Sequence, residues 1–150
     1  ELNSRPDLSS DVKLHSTFTQ FSQLIDALKQ KQLNPVSLAA VNEAVQSVNG
    51  SVLTGKDLAK FIRAKQQSLL KVLEKEQKIV PINYYRKLWM VVGMTTFGLP
   101  MGVAFGVAMG NLGLLGIGLP IGMAIGFAMG TGMDKKALAE GRQLAFEAKM

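Results

Sequence analysis

The chain has no cysteine and only one histidine, His15, among its 150 residues. Without cysteine it can form neither disulfides nor thiolate metal sites. We expect His15 to be a solvated loop residue, because the sequence offers it no partners for a metal site or a pH switch. Phosphate-binding loops and clustered acidic pairs are also missing from the sequence. These absences predict a protein that is not an enzyme and that binds no cofactor, metal or small-molecule substrate.

Charge is missing from one long block, since residues 88–133 contain no Asp, Glu, Lys, Arg or His. A bilayer core of about 30 Å is crossed by roughly 20 helical residues, so the block is long enough for two spans. We predict transmembrane helices at about 88–110 and 114–133, joined by a tight turn from Asn111 to Gly113. The rest of the chain is too polar to enclose this block within a soluble protein.

Small residues recur at every fourth position of the block, and the repeated segments 97–111 and 117–131 share the pattern GLPxGxAxGxAMG. Helices in lipid associate through close backbone approach, which small residues permit. We predict that one small face of each helix contacts its hairpin partner and that the other contacts a second protomer. The predicted packing and oligomerisation residues are Gly98, Gly102, Gly106, Gly110, Gly118, Gly122, Gly126, Gly130, Ala104, Ala108, Ala124 and Ala128.

The same alternation of small and large residues has a period of two, which is also typical of a membrane β-strand. Neither face of residues 101–110 or 121–130 is polar, and one hairpin cannot close a barrel. Alanine and methionine are poor strand formers, so we favour helices. Pro100 and Pro120 are then predicted to kink these helices, with a gating hinge as the alternative role.

Aromatic and basic residues border the uncharged block, as is typical of a membrane–water interface. The predicted interface residues are Tyr84, Tyr85, Arg86, Lys87, Trp89, Lys135 and Lys136. Because positive charge lies at both ends of the hairpin, the positive-inside tendency predicts that both termini are cytoplasmic.

The remaining residues predict an all-α protein, with N-terminal amphipathic helices that form a small bundle or arm before the two-helix transmembrane hairpin. Residues 1–15 form a polar lead-in, 16–81 the amphipathic helical region, 82–133 the interface and hairpin, and 134–150 a charged tail. The helices are expected from near Ser16 to before Asn34, from about Val36 to Val48, and from a capping box at Thr54. The limited core of this region predicts that residues 16–80 depend for stability on a protein partner or on the membrane-proximal part of the chain. No nucleic-acid motif accompanies the net charge of +6.

The segment GLPIGMAIGFAMGTGMDKKALAEGRQL, residues 118–144, and its upstream copy resemble the bacterial glycine-zipper family of small membrane proteins. In that family, GxxxGxxxG runs end in a charged tail that contains lysine. The resemblance covers about residues 97–144. It implies membrane insertion and homo-oligomerisation, and it implies no activity. With both termini cytoplasmic, a bacterial protein of this kind is expected in the inner membrane.

Three functions fit these features. We favour a self-associating membrane scaffold or anchor whose cytoplasmic helices dock a partner protein. One alternative is an oligomeric pore or channel, for which Thr95, Thr96, Asn111 and Thr131 are the polar residues available inside the block. The other alternative is the membrane-inserting module of a secreted toxin or effector.

Overall fold

The computed structural model describes residues 2–3, 11–111, 113 and 115–148. These residues form helices joined by turns, and none of them lies in a β-strand, which confirms the all-α class. The α-helices are α1 (Val12–Lys29), α2 (Pro35–Asn49), α3 (Gly55–Gln77), α4 (Tyr84–Gly93), α5 (Leu99–Ala108) and α6 (Leu115–Ala139), with a π-helical turn, Met94–Gly98, between α4 and α5. The chain forms two compact units: unit 1 is Glu1–Val80 with Leu144–Met150, and unit 2 is Pro81–Gln143.

Unit 1 is built on α3, which both α1 and α2 contact. Its core consists of large apolar side chains that recur every three or four residues along each helix, such as Phe21, Leu24 and Leu28 in α1. This spacing places them on one face, whose burial stabilises the unit. Leu144 and Phe146 join the same core. The Leu144 N–H donates to the carbonyl oxygen of Val80 at 2.9 Å, which holds this returning segment in place.

The first two helices of unit 1 begin at side chains that accept hydrogen bonds from free N–H groups of the first turn. Asp11 accepts from the N–H groups of Lys13 and Leu14 at 2.8 and 3.2 Å, so α1 begins at Val12 rather than near Ser16. His15 is therefore an exposed helical residue and not a loop residue. Of the predicted lead-in 1–15, residues 1 and 4–10 lie outside the described residues.

Asn34 begins α2, and its side-chain oxygen accepts from the Ser37 N–H at 2.7 Å. The Gln77 side chain joins this region to the end of α3, since it accepts from the Asn34 N–H at 3.0 Å and donates to the Gln32 carbonyl at 3.1 Å. Thr54 precedes α3 but makes no side-chain capping bond, so its half of the predicted capping box does not form.

Unit 2 is a helical hairpin. The first arm is α4, the π turn and α5, the second arm is α6, and each segment of the first arm contacts α6. Both arms extend beyond the predicted spans: the first begins at Tyr84, and the second continues to Ala139. The described part of the predicted tail 134–150 is accordingly divided between the end of α6, the turn that follows it, and unit 1, and residues 149–150 lie outside the described residues.

Candidate functional site: the glycine-lined hairpin

Two helical stretches of unit 2 are long and apolar enough to cross a membrane, Tyr84–Ala108 with 25 residues and Gly116–Ala139 with 24. Only 22% of the most apolar window of each stretch is buried. The large side chains face outwards, and Val107 and Met109 are 72% and 71% exposed. The hairpin therefore buries small residues and exposes large apolar ones.

Glycine lines the contact between the two arms. The buried glycines are Gly93, Gly98, Gly102 and Gly106 on the first arm and Gly118, Gly122, Gly126 and Gly130 on the second. Gly102 and Gly118 illustrate the fit, because a Cβ atom added to Gly118 would lie less than 3.0 Å from the backbone of Gly102. A similar overlap arises at Gly93, Gly122, Gly126 and Gly130. The arms can approach this closely only where side chains are absent.

Two glycine pairs, Gly93 with Gly122 and Gly98 with Gly118, face each other reciprocally across the hairpin. In each pair, a Cβ atom added to either glycine would point at the carbonyl oxygen of the other. A Cα hydrogen occupies that direction in glycine, so each pair is placed for two Cα–H···O contacts. Such contacts contribute about 0.5–1 kcal/mol each. The glycines therefore provide backbone attraction in addition to space.

The close contact continues from the uncharged block to the base of the hairpin. A Cβ on Gly126 would overlap the carbonyl oxygen of Trp89. At Gly130 it would lie 2.5 Å from both the Tyr85 carbonyl oxygen and the Arg86 Cα. The predicted interface segment is therefore part of the first arm and packs directly on α6.

The π turn decides which glycines of the first arm share a face. Gly93 and Gly98 are five residues apart, and in an α-helix of about 100° per residue they would point about 140° apart. The π turn, in which the Leu99 N–H donates to the Met94 carbonyl, accommodates the additional residue. Gly93 is absent from the predicted packing set because a four-residue spacing does not include it. The sequence signal that could have identified Gly93 is its position five residues before Gly98, shortly before Pro100.

A proline and two threonines change the hydrogen bonding of backbone carbonyls around the π turn. Pro100 has no N–H, so the Thr96 carbonyl lacks its usual α-helical donor. Hydroxyl groups bind other carbonyls here: Thr95 donates to Val91 and Val92 at 3.1 and 3.0 Å, and Thr96 donates to Val92 at 2.6 Å.

The two prolines occupy different positions in their arms. Pro100 lies at the start of α5, directly after the π turn, and Pro120 lies inside α6. The predicted kinking role of both residues stays a prediction.

Gly110 differs from the other predicted packing glycines. It is exposed, has a φ of +64°, and a Cβ added there would meet nothing within 4 Å. The N–H of Asn111 donates to the Gly106 carbonyl at 3.0 Å, a pattern typical of a helix that ends in a left-handed residue. Gly110 therefore ends the first arm instead of packing against the second. Within the predicted turn, Asn111 accepts from the Gly113 N–H at 2.9 Å, and Leu112 lies outside the described residues.

Asp134, which the sequence patterns did not identify, joins the two arms at the base of the hairpin. This residue of α6 is only 7% exposed. Its two carboxylate oxygens accept from the Tyr85 and Arg86 N–H groups, each at 3.0 Å. Asn83, the residue before α4, makes no side-chain capping bond, so Asp134 performs the capping from the other arm. A negative charge there also interacts favourably with the positive end of the α4 dipole. The sequence signal was an acidic residue directly after the uncharged block.

The predicted interface residues lie in different environments. Tyr85 is buried against its own protein, which differs from a position among lipid headgroups. Its ring makes an edge contact with Tyr84, with ring centroids 5.2 Å apart. The Arg86 guanidinium lies 5.4 Å from the centre of the Phe127 ring, as in a cation–π contact. The remaining members, Lys87, Trp89, Lys135 and Lys136, are partly or fully exposed.

Beyond α6, an ion pair joins two residues that are close in the sequence. Arg142 donates hydrogen bonds to the Glu140 carboxylate, and this bonding raises the pKa of the Arg142 guanidinium above its ordinary value. The guanidinium therefore stays charged. Across the described residues, no group of three His, Cys, Asp or Glu side chains is placed to hold a metal ion.

The four predicted alanines, Ala104, Ala108, Ala124 and Ala128, do not line the contact between the arms. All four are exposed, and they recur every fourth residue within each arm. The glycine faces are occupied within the hairpin, so these alanines are the small helical residues of the predicted set that remain available to another helix.

Comparisons of the chain with protein-family models, with curated proteins and with solved structures find no match. The resemblance of residues 97–144 to glycine-zipper proteins therefore stays a prediction from the sequence.

Proposed function

We propose that the protein is an integral membrane scaffold, in which the hairpin anchors unit 1 to a bilayer and self-associates into a homo-oligomer. In this proposal both termini lie in the cytoplasm at a bacterial inner membrane, and the helices of unit 1 dock a protein partner. The observation that carries the proposal is the arrangement of the hairpin, with glycine between the arms and large apolar side chains outside.

This arrangement fits lipid better than water. Soluble monomers rarely expose contiguous apolar patches larger than a few hundred Å². The core helix of a soluble protein would be mostly buried, whereas only 22% of each apolar window is buried here. In lipid the outward side chains contact acyl chains, and the helical backbone satisfies its own hydrogen bonds.

The exposed alanines support self-association. Small residues at every fourth position let helices in lipid approach each other closely. Ala104 and Ala108 present such a face on the first arm, and Ala124 and Ala128 present one on the second. A second copy of the chain offers the same faces, so we propose that they form the contact between protomers.

The hydroxyl groups of the hairpin disfavour a pore for anions, because the hydration of an anion has to be replaced by hydrogen-bond donors. Thr95 and Thr96 bind carbonyls of their own helix, as described above, and Thr131 donates to the Phe127 carbonyl at 2.7 Å. A conducting path needs polar groups that can replace the hydration of an ion. These hydroxyl hydrogens are already engaged in binding backbone oxygen.

Alkaline carbonate extraction of membranes tests the anchor. We expect the wild-type chain to stay in the membrane pellet. Ala124→Asp places a charge within the second span and should oppose insertion by about 2.5–3.5 kcal/mol. The matched control, Ala39→Asp, makes the same change at an exposed position of α2 and should leave the chain in the pellet. Release of the wild-type chain by carbonate would contradict the proposal.

Mass measurement of the detergent-solubilised particle tests the scaffold, because it reports both the number of protomers and any partner that copurifies. An oligomer that carries no current and releases no dye in liposomes supports the scaffold. Ion flux that scales with the oligomer would instead support the pore. A soluble complex with a dedicated chaperone before insertion would support the secreted effector.

A further inference from the structure

Helix α3 carries a row of basic residues that is not visible as a cluster in the sequence. We define the basic stripe of α3 as Lys56, Lys60, Arg63, Lys71, Lys75 and Lys78, where Lys78 is the residue that ends the helix. All six are exposed. Most neighbours in the row are three or four residues apart, so they project from one side of the helix.

The opposite side of α3 is buried in unit 1. Leu58, Ile62 and Leu73 are completely buried, and Leu69 is nearly so. The helix therefore has its apolar face occupied by its own core, and it presents its charged face outwards. A partner of the stripe must be recognised by charge and not by an apolar anchor.

Acidic residues neutralise little of the stripe. Glu74 lies on the same side, is partly buried, and pairs with Lys78 at 3.4 Å. By helical position Asp57 lies at one edge of the stripe, and Glu76 lies on the opposite side of the helix, near the direction of Leu58 and Leu69. The stripe keeps a net positive charge over a helix of 23 residues, which is about 35 Å long at 1.5 Å per residue.

We infer that the basic stripe of α3 binds the anionic headgroups of a membrane surface. This inference rests on the proposed function, because the hairpin brings α3 to the bilayer. Residues 78–83 connect α3 to α4, and six residues span at most about 22 Å. Clusters of four to eight Lys and Arg residues near a membrane span are typical of binding to anionic lipid.

The composition of the stripe favours lipid over nucleic acid. Five of its six members are lysines, which act as flexible point charges, whereas the planar fork of arginine suits bidentate recognition of phosphate. Single-stranded nucleic acid also requires aromatic platforms for stacking. The aromatic residue of α3, Phe61, is partly buried and lies under the Lys65 ammonium at 5.8 Å from the ring centre. A row of lysines along one side of a helix suits a planar anionic surface.

A single introduced thiol can report this contact, because the chain has no cysteine. Gln67 is exposed between Arg63 and Lys71, so Gln67→Cys places the thiol on the stripe. Gln46→Cys is the matched control at an exposed position of α2. The full-length chain is reconstituted in phosphatidylcholine vesicles with or without phosphatidylserine, and the rate of labelling by a polyethylene-glycol maleimide is measured.

We expect phosphatidylserine to slow labelling of Gln67→Cys by about fivefold or more and to leave Gln46→Cys unchanged. Raising the salt from about 0.1 M to about 1 M shortens the screening length from about 10 Å to about 3 Å and should restore rapid labelling. Neutralising the stripe with Lys60→Gln, Arg63→Gln and Lys71→Gln should also restore rapid labelling. The control set Lys13→Gln, Lys29→Gln and Lys31→Gln removes equal charge outside the stripe and should preserve the protection.

Several results would overturn the inference. Equal labelling with and without phosphatidylserine would exclude headgroup binding, and equal effects of the two neutralised sets would show a response to net charge alone. Protection by RNA without a lipid effect would assign the stripe to nucleic acid. If carbonate releases the chain while phosphatidylserine still protects Gln67→Cys, the anchor fails and the stripe is supported. If the chain resists carbonate but shows no protection, only the stripe fails.

Discussion

Unit 1 and the hairpin both consist of packed helices, but they bury opposite kinds of residue. Unit 1 places Phe, Leu, Ile and Val inside and charged residues outside, whereas the hairpin places glycine inside and Val, Phe and Met outside. Removal of apolar area from water stabilises the first arrangement. Backbone proximity stabilises the second, which suits a solvent as apolar as the side chains themselves. The same substitution should therefore have different consequences in the two units.

Phenylalanine truncation should give the largest difference. Phe21→Ala removes a completely buried ring from unit 1 and should lower the free energy of unfolding by about 3–5 kcal/mol, as measured by circular dichroism in urea. Phe105→Ala removes a ring that is exposed on the hairpin and should cost less than about 0.5 kcal/mol. Similar losses at both sites would show that the hairpin buries its phenylalanines and would remove the contrast.

Adding a side chain should destabilise the hairpin, just as removing one destabilises unit 1. Gly122→Leu inserts a side chain where even a Cβ overlaps the backbone of Gly93 and Gly98, and should destabilise the hairpin by about 2–3 kcal/mol. The same change at Gly132, which has open space around it in α6, should have little effect. Denaturing-detergent titration, followed by the fluorescence of Trp89, the single tryptophan, measures both variants. Equal midpoints would mean that the glycine contacts do not hold the arms together.

Asp134 offers a smaller and more specific test of the hairpin base. Asp134→Asn removes the charge and one acceptor from the two hydrogen bonds to α4, so we expect a loss of about 1–2 kcal/mol in the same titration. Asp57→Asn makes the same charge change at an exposed position of unit 1 and should leave the hairpin unchanged. If the two variants behave alike, the carboxylate contributes nothing beyond net charge.

The smallest effect on hairpin stability should come from the alanine face. Ala128→Leu enlarges an exposed residue and should change the stability of the hairpin by less than about 0.5 kcal/mol. It should nevertheless reduce the oligomer recovered in detergent, because the enlarged residue keeps protomers apart. Val107→Phe adds a comparable volume outside the alanine faces and should preserve the oligomer. Mass measurement by light scattering distinguishes these outcomes, and loss of the oligomer in both variants would argue against the alanine contact.

Most of the architecture could be predicted because it depends on local pattern. The uncharged block, its turn near Asn111 and the amphipathic spacing of α1 to α3 each lie within short windows of sequence. Helix ends were less predictable: α1 begins at Val12 because Asp11 caps it, and Thr54 does not form its predicted cap. Such details depend on side-chain hydrogen bonds that composition alone does not reveal.

The packing residues were predictable in type, and their register was predictable except at the π turn and at the end of the first arm. Seven of the eight predicted glycines are buried, whereas Gly110 ends a helix and Gly93 takes a place on the contact face through the π turn. A spacing rule assumes a regular helix, so one inserted residue changes which glycines face the partner. The basic stripe of α3 was overlooked for a related reason, since its charges are separated along the chain and meet only on the helix surface.

The sequence by itself determined that this protein has a helical hairpin with small inner residues, because the length of an apolar run and its spacing are properties of neighbouring residues. Only the tertiary structure decided that Gly93 contacts Gly122, that Asp134 caps α4 and that Leu144 and Phe146 complete the core of unit 1. Those contacts join residues far apart in the chain. Which distant partners meet depends on the geometry of the folded backbone, and no local pattern encodes it.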